Sequence, residues 1–70
     1  MAQRKPISIR SYRIYFRDTG NALTQSHEVD LASDEDAREL AALMLEESIG
    51  YSCAEVWDRT RLVCTVRKGE

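Results

Sequence analysis

Apolar and polar residues alternate along the segment SYRIYFRD, residues 11–18. One side of an extended chain would carry three apolar residues, Tyr12, Ile14 and Phe16. The other side would carry Arg13, Tyr15 and Arg17. Because a side-chain period of two is the pattern of a strand with one buried face, the segment predicts a first strand over residues 10–17.

A second alternating run follows a turn signal. The segment DTGN, residues 18–21, combines side chains that cap local amides with Gly20, which can take a positive φ at little cost. In SHEVDL, residues 26–31, His27, Val29 and Leu31 alternate with acidic residues. The two runs together predict an antiparallel hairpin.

The apolar period then changes from two to 3.6. Ser33 is a favourable N-cap, and three carboxylates follow it where the helix dipole is positive. The predicted helix runs to about Ile49, and Gly50 is expected to end it as the C′ residue. One arc of this helix is expected to face the core and comprises Ala37, Leu40, Ala41, Met44, Leu45 and Ser48.

Two further strand-like runs, CAEVWD and LVCTV, flank RTR at residues 59–61 and predict a second hairpin. With a three-residue turn, the inner face carries Ala54, Val56, Leu62, Cys64 and Val66. The outer face then carries Trp57, Val63 and Thr65. A two-residue turn would exchange part of these faces, because a slip of one residue reverses the two sides of a strand.

The order of elements predicts an α+β fold, ββαββ, with one antiparallel four-stranded sheet and one helix packed on one face. Seventy residues fit a single domain, with a folded core over residues 10–67 and a flexible arm over residues 1–6. The ends carry no apolar region of a signal peptide, and no run approaches 18 apolar residues. We therefore expect a cytoplasmic protein without a membrane span.

Three parts of the chain carry the pattern of a known family. They are YRIYFRD with Gly20 downstream, then EVDLASDEDARELA, then AEVWD with the closing LVCTV. On these residues the chain resembles a family of small uncharacterised bacterial ββαββ domains of unknown function, and the resemblance spans most of residues 12–66. It implies the same fold and no catalytic residue. The family pattern places a glycine in the last turn, where this chain has DRTRL.

The net charge of −2 conceals an uneven distribution. Residues 1–17 carry +5, residues 18–58 carry −10 and residues 59–70 carry +3. Two basic ends therefore flank an acidic middle, so the net charge alone says little about partners.

Candidate chemistry is sparse. His27 is the only histidine, and neither it nor Cys53 and Cys64 has the spacing of a metal site. A Cys–His nucleophile built from these residues lacks any local signature. The acidic residues of the helix are expected on its solvated surface, where no cleft shifts their pKa values. We therefore expect no enzymatic activity, no metal and no cofactor.

The outer face of the sheet is the most informative surface. Its predicted interaction residues are Arg13, Tyr15, Arg17, Trp57, Val63 and Arg67. Tyrosine, tryptophan and arginine are frequent anchors of protein interfaces, so we expect a protein partner here, with a homodimer as the favoured case. Aromatic rings beside arginines also suit single-stranded nucleic acid, which is the alternative, although the acidic middle opposes it. A small enzyme is the second alternative.

Overall fold

The computed structural model describes residues 9–69, and within them the predicted ββαββ order is confirmed. The elements are β1 (Arg10–Asp18), β2 (Leu23–Leu31), α1 (Asp34–Glu47), β3 (Tyr51–Asp58) and β4 (Arg61–Arg67). The arm predicted over residues 1–6 lies outside the described residues.

The four strands form one sheet in the order β2-β1-β3-β4, and all neighbouring strands are antiparallel. Each hairpin supplies one central and one edge strand. The pairing of β1 with β3 joins the two hairpins, with Ile14 opposite Val56. Strand order, which the sequence does not determine, thus puts the two strands with the most buried residues at the centre.

The core lies between α1 and one face of the sheet. As predicted, Tyr12, Ile14 and Phe16 are buried, at 2% exposure or less. The helix packs mainly over β3 and β4 and contributes Ala37, Ala41 and Leu45, while β3 contributes Ala54 and Val56. The small alanine side chains allow α1 to lie close to the sheet, and only this face is covered.

Both ends of α1 are capped by serine. The Ser33 hydroxyl accepts a hydrogen bond from the Asp36 amide at 3.1 Å, as its predicted N-cap role requires. The helix ends at Glu47, earlier than expected, because the amide and the hydroxyl of Ser48 both donate to the Leu45 carbonyl. Gly50 is not the C′ residue; with φ of +93° it belongs to the turn that enters β3.

The turn between β1 and β2 is organised by Asp18. Its carboxylate accepts hydrogen bonds from the amides of Gly20 and Ala22, at 2.9 and 3.0 Å. The positive φ, +66°, belongs to Asn21 and not to Gly20 as predicted. Asparagine tolerates the left-handed region better than most residues with a side chain, so it can take this position.

The last hairpin combines features of both predicted registers. Its turn has two residues, since Asp58 pairs with Arg61, yet Val56 faces Cys64 and Ala54 faces Val66 as in the three-residue alternative. A bulge next to Val56 and Trp57 absorbs the difference. The predicted sides of Leu62 and Val63 are therefore wrong: Leu62 pairs with Trp57 and is 47% exposed, and Val63 packs against the core.

An ionic cluster joins the start of α1 to the sheet. Arg61 donates two hydrogen bonds to Asp34, at 3.1 and 3.2 Å, and a third to Asp58 at 3.0 Å. Arg10 also reaches Asp58, and the buried Tyr12 hydroxyl donates to Asp34 at 2.7 Å. Hydrogen bonds from Arg61 are the main cause that lowers the pKa of Asp34 and of Asp58. Burial, followed by the bond to Asp34, raises the pKa of Tyr12.

Candidate interaction surface

The face of the sheet opposite α1 is defined by the strand register. Side chains paired across neighbouring strands share a face, so Arg13 lies beside Trp57 and Tyr15 lies beside Glu55. Arg17 pairs with Cys53, which in turn pairs with Arg67 on β4. Of the six predicted surface residues, the register therefore brings together Arg13, Tyr15, Arg17, Trp57 and Arg67; Val63 does not join them. We call this surface the open face.

Each strand contributes one large apolar side chain to the open face. Leu23 of β2 pairs with Arg17, Tyr15 lies on β1, Trp57 on β3, and Leu62 of β4 pairs with Trp57. Leu23 and Leu62 are 52% and 47% exposed. Leu23 lies in the row of Arg17, Tyr15 lies two residues further along β1, and Trp57 and Leu62 share the row of Arg13, so the four residues cross the sheet from one corner to the opposite corner. We call this line the apolar stripe.

Three members of the apolar stripe border a shallow groove of about 450 Å³. Its lining residues are Tyr15, Arg17, Leu23, Glu55, Trp57, Arg59 and Thr60. The groove is an open depression with rings on its walls, and such a shape suits the side chains of a partner better than an enclosed small ligand.

Glu55 occupies the centre of the open face, although it is not among the residues predicted for this surface. Its carboxylate accepts a hydrogen bond from Arg17 at 3.0 Å and another from the indole of Trp57 at 3.2 Å. The bond from Arg17 is the main cause that lowers the pKa of Glu55, against an opposing effect of partial burial. Glu55 thereby fixes both the guanidinium and the indole. The sequence contains a signal for this position of Glu55, because Glu55 lies two residues before Trp57 and residues two apart share one face of a strand.

The arginines of the open face differ in how they are paired. Arg13 reaches Glu28 of β2 at 3.4 Å, and these side chains are 51% and 63% exposed, so the pair is loose and well solvated. Arg59 and Arg67 form no ion pair within residues 9–69. The face thus carries both signs of charge and is not the purely cationic and aromatic surface that the alternation of β1 suggests.

Strand order separates the residues considered for catalysis. His27 pairs with Ile14 and lies on the helix side of β2, where its ring meets Phe16 edge-on at 5.7 Å between centroids. Cys53 lies on the open face, on the other side of the sheet. Cys64 shares the side of His27, but two strands lie between them, a separation of about 14 Å.

The two thiols have no arrangement that activates them. Both are free, and burial is the main cause that raises the pKa of Cys64, which disfavours the nucleophilic thiolate. Over residues 9–69, no group of three or more His, Cys, Asp or Glu side chains is arranged to hold a metal ion. In the same part of the chain, every buried side-chain nitrogen or oxygen has a hydrogen-bond partner.

Comparison of the chain with protein-family models, with curated proteins and with solved structures finds no match. The resemblance to the small bacterial ββαββ family therefore stays a prediction. No helix within the described residues has the length and apolar character needed to cross a membrane.

Proposed function

We propose that the protein is a non-enzymatic interaction domain whose open face binds a second copy of the chain to form a homodimer. The observation that carries this proposal is the apolar stripe, because it leaves two exposed leucines and a half-buried tyrosine and tryptophan on the face of the sheet that α1 does not cover. Contiguous apolar surface of this kind is typical of interfaces, and tyrosine and tryptophan are frequent interface anchors.

The charges of the open face are compatible with a copy of itself. Arg13 is paired with Glu28, and Arg17 is paired with Glu55. Close approach of a second copy therefore brings together surfaces of mixed sign instead of two cationic ones. We place this association in the cytoplasm, where the free thiols of Cys53 and Cys64 stay reduced.

The proposal assigns no enzymatic role to the protein, and the arrangement of the titratable side chains supports this. The carboxylates with lowered pKa values, Asp34, Glu55 and Asp58, are all held by arginine in ion pairs. His27 is remote from both thiols, as described above. A general acid or base needs a cleft and a pKa near the working pH, and carboxylates that arginine holds at a lowered pKa are poorly suited to that role.

Single-stranded nucleic acid is the second candidate, favoured by one observation. Arg59 lines the groove beside Tyr15 and Trp57 and makes no ion pair within residues 9–69, so a cation and two stacking rings share one site. Glu55 in the same groove, and Glu28 nearby, would repel phosphate. We therefore rank this function second.

Trp57 is the only tryptophan of the chain, so intrinsic fluorescence reports directly on the open face. On dilution from high to low micromolar concentration, we expect the emission of the wild type to shift to longer wavelength as the homodimer dissociates. Leu62→Asp is expected to show the diluted spectrum at every concentration. Leu43→Asp, at a leucine of α1 that is 57% exposed, is the matched control and is expected to behave as the wild type.

A spectrum that does not change with concentration would contradict the homodimer. Titration of the wild type with a single-stranded oligonucleotide at low salt then tests the second candidate, since electrostatic binding is strongest there. Quenching of the Trp57 fluorescence that disappears as the salt concentration is raised would identify the groove as a binding site for nucleic acid.

A further inference from the structure

We infer that the two copies of the proposed homodimer pack face to face about a two-fold axis that runs along the apolar stripe. This inference rests on the proposed function and specifies the arrangement of the partner. In it, Leu62 of each copy meets Leu62 of the partner subunit, and Glu28 meets Arg67 of the partner subunit.

The four corners of the open face carry the argument. Two register rows bound it: Leu23–Arg17–Cys53–Arg67 at one end of the sheet and Glu28–Arg13–Trp57–Leu62 at the other. The stripe thus joins the corners at Leu23 and Leu62, and the remaining corners are Glu28 on β2 and Arg67 on β4.

The corners form nearly a square. Three strand spacings separate β2 from β4, which is about 14 Å, and four residues of β1 separate the two rows, which is also about 14 Å. The apolar stripe therefore crosses the strands at about 45°. A two-fold axis that superposes one stripe on the other makes the two sets of strands cross near a right angle, which is one of the two established geometries of packed sheets.

Charge selects between the two axes that superpose the stripes. An axis along the stripe exchanges the other two corners, so that each Glu28 lies over Arg67 of the partner subunit. An axis across the stripe would place Glu28 over its own copy and Arg67 over its own copy. Only the first arrangement is complementary, and like charges in contact oppose the second.

Both corner residues can take new partners. Glu28 is 63% exposed, and its contact with Arg13 is long, at 3.4 Å. Arg67 is exposed and makes no ion pair in the described part of the chain. The intermolecular pair therefore requires little rearrangement within either copy.

A charge-reversal cycle tests the arrangement. Glu28→Lys and Arg67→Glu are each expected to weaken the dimer by about tenfold, because each places like charges in contact twice in the symmetric complex. The double variant Glu28→Lys with Arg67→Glu is expected to return to within about twofold of the wild type. Dissociation constants come from sedimentation at a fixed ionic strength, and all four proteins should show the same circular dichroism spectrum.

Dimerisation of the wild type without rescue in the double variant overturns this arrangement and leaves the proposed function intact. A wild type that stays monomeric overturns both. A second readout does not depend on charge: Leu62→Cys is expected to form a covalent dimer on mild oxidation, whereas Thr65→Cys on the same strand is not. The opposite result from these two variants also rejects the axis along the stripe.

Discussion

Arg59 combines an unfavourable backbone conformation with a position next to the open face. Its φ of +60° lies in the left-handed region, which costs a residue with a Cβ about 1–2 kcal/mol. The two-residue turn between Asp58 and Arg61 imposes this conformation, since such hairpin turns require positive φ. A glycine in this turn would adopt the same conformation at little cost.

Replacement of Arg59 by glycine should therefore stabilise the fold. We expect Arg59→Gly to raise the free energy of unfolding by about 0.5–1 kcal/mol. The relief of backbone strain stabilises the folded state, and the greater conformational freedom of glycine in the unfolded chain offsets part of this gain. Urea unfolding measures the change. Thr60→Gly is the control, because Thr60 is outside the left-handed region and the added freedom should lower stability there. Loss of stability in Arg59→Gly would show that the turn does not strain this residue.

At the scale of residues, the sequence predicts which side chains are buried better than what the exposed ones contact. Tyr12, Ile14 and Phe16 follow directly from the alternation of β1 and are buried. The role of Glu55 depends on the pairing of β1 with β3, which is not encoded in any local pattern. The predicted sides of Leu62 and Val63 are wrong because a bulge of one residue leaves no mark on the alternation of apolar and polar residues.

At the scale of elements, the attachment of α1 to the sheet has an apolar and an ionic part. Ala37, Ala41 and Leu45 fill the core, and the Arg61 cluster fastens the first turn of the helix to the last hairpin. The ionic part should give the fold a dependence on pH. Because the folded-state pKa values of Asp34 and Asp58 lie below their ordinary value of 3.8, the folded chain binds fewer protons than the unfolded chain in that range.

The resulting stabilisation is complete above the unfolded-state pKa of about 4 and is lost as the pH falls through the lower folded-state values. We expect the free energy of unfolding, from urea titrations, to be nearly constant between pH 7 and pH 5 and to fall below about pH 4. Arg61→Met should lower stability at pH 7 and make the fall at acid pH shallower, because Asp34 and Asp58 lose the main cause of their pKa shift.

The control is Arg38→Met, at an exposed arginine of α1 that forms no ion pair among residues 9–69. In this variant the free energy of unfolding should fall at acid pH as steeply as in the wild type. If the free energy of unfolding of Arg61→Met falls at acid pH as steeply as that of the wild type, the Arg61 cluster does not determine how stability depends on pH.

Elements with a local physical cause could be predicted closely. Serine capping and the 3.6-residue period locate α1 to within two residues of its observed end, and the alternation of β1 gives its bounds to within one residue. Strand order could not be predicted, because it depends on which edges of the two hairpins meet, a contact between residues far apart in the sequence. The predicted end of α1 is two residues too late, because Ser48 caps the Leu45 carbonyl before the chain reaches Gly50.

At the scale of the whole molecule, one helix covers one face of the sheet and leaves the apolar stripe on the other. A chain of this size buries only about 60% of the surface that it exposes when unfolded, so an additional buried face would add substantially to its stability. This asymmetry follows from the ββαββ order. Binding at the open face would depend on two surfaces together, and a single chain specifies it only through its own charges and its apolar stripe.

Sedimentation equilibrium of the wild type at high micromolar concentration tests the homodimer most directly. The account predicts a mass of twice the 8.0 kDa of the chain, a shift toward a single chain in Trp57→Ala, and no change in the matched surface variant Leu43→Ala. A single-chain mass for the wild type at that concentration, unaltered by Trp57→Ala, would contradict it.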